Sequence, residues 1–217
     1  MRYSFFAFTL VFFAFNISAR QRPEPAPPKS ARSEATQPYF PAGVLDGNEQ
    51  SNDFKERWYS SYLAAMDEPS LFGAARNGGV TMYRFLLVWN ARALSVRVLV
   101  NPEGNGLLYG KLVIQHSDKP NVSFAKESVP VGKEQVQQFL ALVKQADFWS
   151  MTTAETATKG SYHVDGAQWI LEGVDDGTYH VVDRWSPQDT DYKRICSDPM
   201  ELSPVKLNGA SRKEGSR

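Results

Sequence analysis

Cysteine is nearly absent from this 217-residue chain: Cys196 stands alone. One thiol cannot close an intrachain disulfide, so burial rather than cross-linking must hold the fold. No histidine lies near Cys196 in sequence, and a small buried side chain is a better reading of it than a nucleophile. An excess of either charge is also missing. Lys plus Arg number 24 and Asp plus Glu number 24. That balance excludes the basic surplus of a general nucleic-acid surface and the acidic surplus of a solvating protein. Histidine is scarce, with His116, His163 and His180 scattered, and Asp118, Asp165 and Glu172 near them in sequence. No H-x-x-x-H, C-x-x-C or calcium-loop spacing occurs, so no metal site is assigned. No G-x-G-x-x-G follows a strand and no G-x-x-x-x-G-K-[ST] is present, so no cofactor is expected.

A long hydrophobic run is lacking as well. The apolar stretch from Phe5 to Phe15 is shorter than the roughly 20 residues of a membrane span. Arg2 precedes it, and Asn16, Ser18 and Ala19 follow. Charged start, apolar middle and small-residue exit read as a secretory signal peptide over residues 1–19. Ile17 and the charges at Arg20, Arg22, Lys29 and Arg32 keep an uncleaved anchor open as the alternative. No cysteine is present here, which excludes a lipid-anchored lipoprotein. The expected location is therefore outside the cytoplasm, periplasmic or secreted, with no membrane span once the signal is cleaved.

What the chain does contain falls into three zones. Residues 20–50 carry prolines at 23, 25, 27, 28, 38 and 41 with little apolar surface between them, and read as a disordered or extended linker. Residues 51–205 read as a single globular domain. Residues 206–217 are small and charged, and read as a frayed tail.

Within the domain, Phe54, Trp58, Tyr62 and Met66 recur every four residues, predicting a helix over Asp53–Met66. Asp53 and Glu56 have capping-box spacing, and Glu68-Pro69 is the stop. Strand formers run from Val80 to Trp89, with Tyr83, Phe85, Leu87 and Trp89 on one face. Leu94, Val96, Val98 and Val100 alternate with Ser95 and Arg97, which fits a half-buried antiparallel strand. A turn at Pro102–Gly106 leads to a third strand from Leu107, and Val122–Phe124 reads as a short edge strand. Asn121-Val122-Ser123 is a glycosylation sequon, relevant only in a eukaryotic secretory pathway. The best helix is "KEQVQQFLALVKQADFW", with Val136, Phe139, Leu140 and Val143 as its stripe and Phe148-Trp149 as a hydrophobic plug. A hairpin and a short helix over Asp191–Ser197, limited by Pro199, complete the order. The expected fold class is α+β: an antiparallel sheet of five to six strands with one or two helices packed on one face.

The hairpin, "DGAQWILEGVDDGTYHVVDRWSP", is the densest stretch in chemistry. Its turn admits two registers, and one residue separates them. If Asp176-Gly177 is a two-residue turn, Glu172 pairs with Val181, and Trp169 and Arg184 share a face with His180. If Asp175-Asp176-Gly177 is a three-residue loop, Glu172 lies across from His180, and Arg184 joins them. Trp169, Leu171, Tyr179, Val181 and Trp185 then form an apolar face. The second register sorts the residues better and is the one expected. It makes Glu172, His180 and Arg184 candidate catalytic residues, the carboxylate orienting the imidazole and raising its pKa. No nucleophile or oxyanion motif accompanies the pair, so a cross-strand ion pair on a solvated face is the better reading of it.

The path from "VGKEQVQQFLALVKQADFW" to this hairpin resembles uncharacterised exported bacterial proteins, over roughly Val80 to Cys196. The resemblance implies export and an α+β domain, and carries over no catalytic residue. Together these readings lead to an exported, non-catalytic domain that binds a protein or cell-envelope component and no nucleic acid. Trp169, Tyr179, Arg184 and Trp185 are its binding candidates, since interfaces favour Trp, Tyr and Arg. The alternative is a small periplasmic hydrolase using Glu172 and His180.

Overall fold

The run from Thr81 to Trp89 is apolar almost without a break, as a strand covered on both faces should be. It is strand β1, at the centre of the molecule. A computed structural model describes residues 37–114, 122–154 and 166–206. The expected signal peptide, residues 20–36 of the linker, His116, Asp118, the Asn121 sequon site, His163, Asp165 and residues 207–217 of the tail lie outside the described residues.

Six strands form one antiparallel sheet: β1 Thr81–Trp89, β2 Arg92–Val100, β3 Gly106–Ile114, β4 Val122–Val131, β5 Gln168–Asp175 and β6 Thr178–Trp185. Their spatial order is β4-β3-β2-β1-β5-β6. The first four are a meander, and the chain then returns across the sheet to lay β5 on the free side of β1. Strand β4 is longer than the Val122–Phe124 segment expected, and its Pro130 is tolerated because β4 is an edge strand.

The fold class is α+β as the pattern implied, with four helices rather than one or two. They are α1 Glu49–Ala65, α2 Leu71–Asn77, α3 Lys133–Gln145 and α4 Thr190–Leu202. They do not share one face. Alternate β1 residues Tyr83, Phe85 and Leu87 pack with Phe139 and Val143 of α3 and Tyr192 and Ile195 of α4. The intervening Leu86 and Val88 pack with Tyr59, Tyr62 and Leu63 of α1. The sheet is therefore a middle layer between two helical layers. This corrects the reading of β2, whose Ser95 and Arg97 are buried under a helical layer rather than solvated.

Helix α3 buries Val136, Phe139 and Val143, spaced at i, i+3 and i+7. Each contributes about 1.5–3 kcal/mol of apolar transfer on burial. Helix α1 starts at Glu49, four residues before the expected Asp53. Asn48 is its cap, its side chain accepting from the Ser51 N–H at 3.0 Å, so Asp53 sits inside the helix and caps nothing. The stripe also rotates: Tyr59, Tyr62, Leu63 and Met66 are buried, while Phe54 is 58% exposed. The stretch before α1 packs onto the domain, with Phe40 and Leu45 fully buried, so the domain begins ahead of residue 51. Helix α2 is held by Ser70, whose hydroxyl accepts from the Gly73 N–H at 2.9 Å. Helix α4 runs beyond Pro199, whose ring is buried, and ends at Leu202.

Candidate functional site

The hairpin adopts the two-residue turn. Asp176 and Gly177 have φ of 41° and 87°, the left-handed pair such a turn requires. Glu172 pairs with Val181, Gly173 with His180, and Trp169 with Arg184. Glu172 and His180 therefore lie on opposite faces of the sheet, and the expected catalytic pairing is overturned. The physical reason is Asp183. In the three-residue register its carboxylate would point into the dry α3–α4 layer. In the observed register it points to the α1 side, where donors meet it. The turn is also tied to the start of β1. The Asp176 N–H donates to Val80 O at 3.2 Å, and the Gly79 N–H donates to Asp176 Oδ1 at 3.3 Å.

His180 faces the α3–α4 layer, its ring 5.0 Å from Phe148 and 6.2 Å from Trp149. Burial pulls its pKa down, partly offset by contact with the Met151 backbone. Arg184, on the same face, donates to the carbonyls of Thr152 at 2.7 Å and Thr153 at 2.8 Å, and lies over the Tyr192 ring. It fastens the loop that follows the 3₁₀ turn Phe148–Ser150. Trp169 packs against Phe85 in the same layer. Tyr179 and Trp185 lie on the other face, so the four binding candidates do not converge.

The α1–α2 side of the sheet carries the charges. Arg84 and Glu172, both fully buried, pair directly across β1 and β5. Arg84 Nε donates to Glu172 Oε2 at 2.7 Å, and Arg84 Nη1 donates to Pro69 O at 2.7 Å. Tyr179 completes the carboxylate, donating to Glu172 Oε1 at 2.9 Å. Glu68, from the link between α1 and α2, enters the same network. It receives Arg97 Nε at 3.0 Å and Lys111 Nζ at 2.8 Å, with Arg84 Nη1 at 3.6 Å. Burial by itself raises the Glu68 carboxyl, but Arg84, Arg97 and Lys111 outweigh it and hold it below the usual range. At Glu172 burial wins, and its pKa is raised despite Arg84. These groups spend their hydrogen bonds on each other under the helices, so the network fastens the α1–α2 link to the sheet.

Beside this network, toward the open end of the hairpin, the charges reach a surface cleft of about 480 Å³. Its walls include Phe54 and Trp58 of α1, whose rings lie 5.7 Å apart, and Trp185 of β6. Asp46, Lys55 and Gln168 supply polar lining. Asp183 sits beneath. Lys55 Nζ lies 3.2 Å from Asp183 Oδ2 and 3.1 Å from Asp46 Oδ2. The Tyr59 hydroxyl donates to Asp183 Oδ2 at 3.2 Å, and Gln168 Nε2 donates to Asp183 Oδ1. Burial raises Asp183, with Lys55, Gln168 and Tyr59 offsetting part of the rise. Burial lowers Lys55, but Asp183 and Asp46 more than reverse this, so its ammonium is retained. The carboxylate thus organises a fixed floor beneath an aromatic wall, the arrangement of a binding site with a few placed polar groups.

Of the candidate catalytic and binding residues, only Trp185 lines this cleft. Asp46, Lys55 and Asp183 escaped notice, and Phe54 and Trp58 were expected only in the core stripe of the helix, though Asp183 had a readable sign. It interrupts the face of Tyr179, Val181 and Trp185, where an acid must find partners if the face is covered. Among the described residues, no group of three or more His, Cys, Asp or Glu could hold a metal ion, and no helix is long and apolar enough to cross a membrane. No family model, curated protein or solved structure matches the chain.

Proposed function

We propose that this chain is an exported, non-catalytic binding domain that recognises a protein or cell-envelope component through the cleft between α1 and the open end of the β5–β6 hairpin. The observation that carries this reading is the cleft itself. Three large aromatic side chains, Phe54, Trp58 and Trp185, line an opening over a floor where Lys55 is held between Asp46 and Asp183. Aromatic anchors over a fixed polar base suit recognition, because rigid rings bury much area at small entropic cost.

A hydrolase built on Glu172 and His180 has no support in this geometry. The sheet stands between the two side chains, and Glu172 is sealed beneath the helices with Arg84 and Tyr179. The test uses the full chain immobilised against envelope extract. Whatever it captures from that extract should be lost on Phe54→Ala combined with Trp185→Ala, and kept on His180→Ala. Equal capture by the aromatic variant would sink the cleft as the recognition surface. Hydrolysis of an ester, peptide or glycoside panel that disappears on His180→Ala would restore the enzyme.

A further inference from the structure

We propose that the cleft is a receptor for an organic monocation, an alkylguanidinium or alkylammonium group carried by the ligand. The inference rests on the cleft being the binding surface and adds the chemistry of what enters it. Three charged side chains meet there: Asp46 and Lys55 in the lining, and Asp183 beneath. One ammonium stands between two carboxylates, at 3.1 and 3.2 Å, which leaves one negative charge over. Lys55 has no proton to spare for an anionic ligand, since it also contacts Leu45 O at 3.4 Å. An anion would meet that surplus charge, and Lys55 could offer it no further proton. A cation would meet the unbalanced charge and, above it, aromatic faces.

Those faces come from both elements that bound the cleft. Phe54 and Trp58 are one turn apart on α1, with rings 5.7 Å apart and tilted by 30°, so together they offer an extended π surface. Trp185 comes from β6, opposite Gln168. A cation over such rings is held by their quadrupoles, more firmly where water is excluded. Gln168 Nε2 is committed to Asp183, so its amide is anchored in place as part of the floor. Phe54, at 58% exposed, contributes little to the core, so its ring is accessible to a ligand in the cleft.

The experiment titrates the full chain with n-butylguanidinium and n-butyltrimethylammonium, following the tryptophan indole N–H resonances by NMR. N-butylurea and butyrate are the neutral and anionic controls. The cations should shift the Trp58 and Trp185 signals saturably, and the controls should bind at least tenfold more weakly. Asp46→Asn, which removes the surplus charge at a partly exposed position, should weaken cation binding about tenfold. Phe54→Ala should weaken it about fivefold. A third arm presents the guanidinium on a capped Gly-Arg-Gly peptide. Tighter binding of the peptide assigns the cation to a protein partner, and binding of the free cation alone assigns it to a small molecule. Either result supports the receptor. Equal or tighter binding of butylurea or butyrate overturns the cation while leaving the cleft as a binding surface. No saturable shift at Trp58 or Trp185 with any probe overturns both.

Discussion

The two faces of the sheet are made from the same strands and solve burial in opposite ways. Toward α3 and α4, Tyr83, Phe85, Phe139, Phe148, Leu171 and Val182 pack without a charge among them. Toward α1 and α2, Arg84, Glu172 and Glu68 are buried just as deeply and survive only because each meets its opposite. On the first face the cost of a change is the volume it leaves behind. On the second it is the partner it abandons.

Two substitutions break that comparison most sharply. Phe148→Ala on the dry face should cost about 3–5 kcal/mol through the cavity it opens. Arg84→Met should cost a similar amount, about 3–5 kcal/mol, by stranding Glu172 without its cation. The difference lies in rescue. Adding Glu172→Met to Arg84→Met should restore stability to within about 1 kcal/mol of the parent, since a buried ion pair can be exchanged for apolar volume. Urea denaturation of the single and double variants reads all three values. A double variant no better than Arg84→Met would show that the network contributes more than mutual neutralisation.

A smaller effect follows from the turn that allots β6 residues to the two faces. Gly177 has a φ of 87°, so Gly177→Ala should cost about 1–2 kcal/mol without changing the register. Unchanged stability would mean that the turn relaxes at no cost.

His180 and Glu68, on opposite faces, should also respond to acid at different pH. The His180 pKa is depressed by burial, so the unfolded chain binds protons more readily there. Its contribution is present above about pH 6.5 and is lost as the pH falls through the folded value. Glu68 is depressed too, so its contribution fades only below the carboxylate range, about pH 4.5. Denaturation midpoints from pH 7.5 to 5.0 should therefore decline in the parent and flatten in His180→Gln. A decline that survives the substitution would place the sensitive group elsewhere. Least of all, Phe54→Ala should leave stability within about 0.5 kcal/mol, since the ring is mostly exposed.

Much of the architecture was legible in the chain. Val136, Phe139 and Val143 mark α3, the alternation at Leu94–Val100 marks β2, and Asp-Gly marks the last turn, because each is a local periodicity or a local φ requirement. Helix α2 was not legible: seven residues with a glycine at Gly73 carry too little pattern, and the helix depends on the Ser70 cap and the sheet beneath it. The site was less legible still. Lys55 looks like a solvated helix position, and Asp46 lies in a stretch that reads as linker. Only the packing of α1 over β5 and β6 brings both to Asp183.

By itself, then, the sequence determined most of the strands and helices, the α+β class and the turn residues, since each depends on neighbours a few positions away. The tertiary structure alone decided that both faces are covered, which register the hairpin takes, and that Glu172 belongs to Arg84 and not to His180. The reason is that a buried charge is tolerated only beside its partner. For Glu172 and Asp183 those partners come from β1 and α1: Arg84 lies 88 residues from Glu172, and Lys55 lies 128 residues from Asp183.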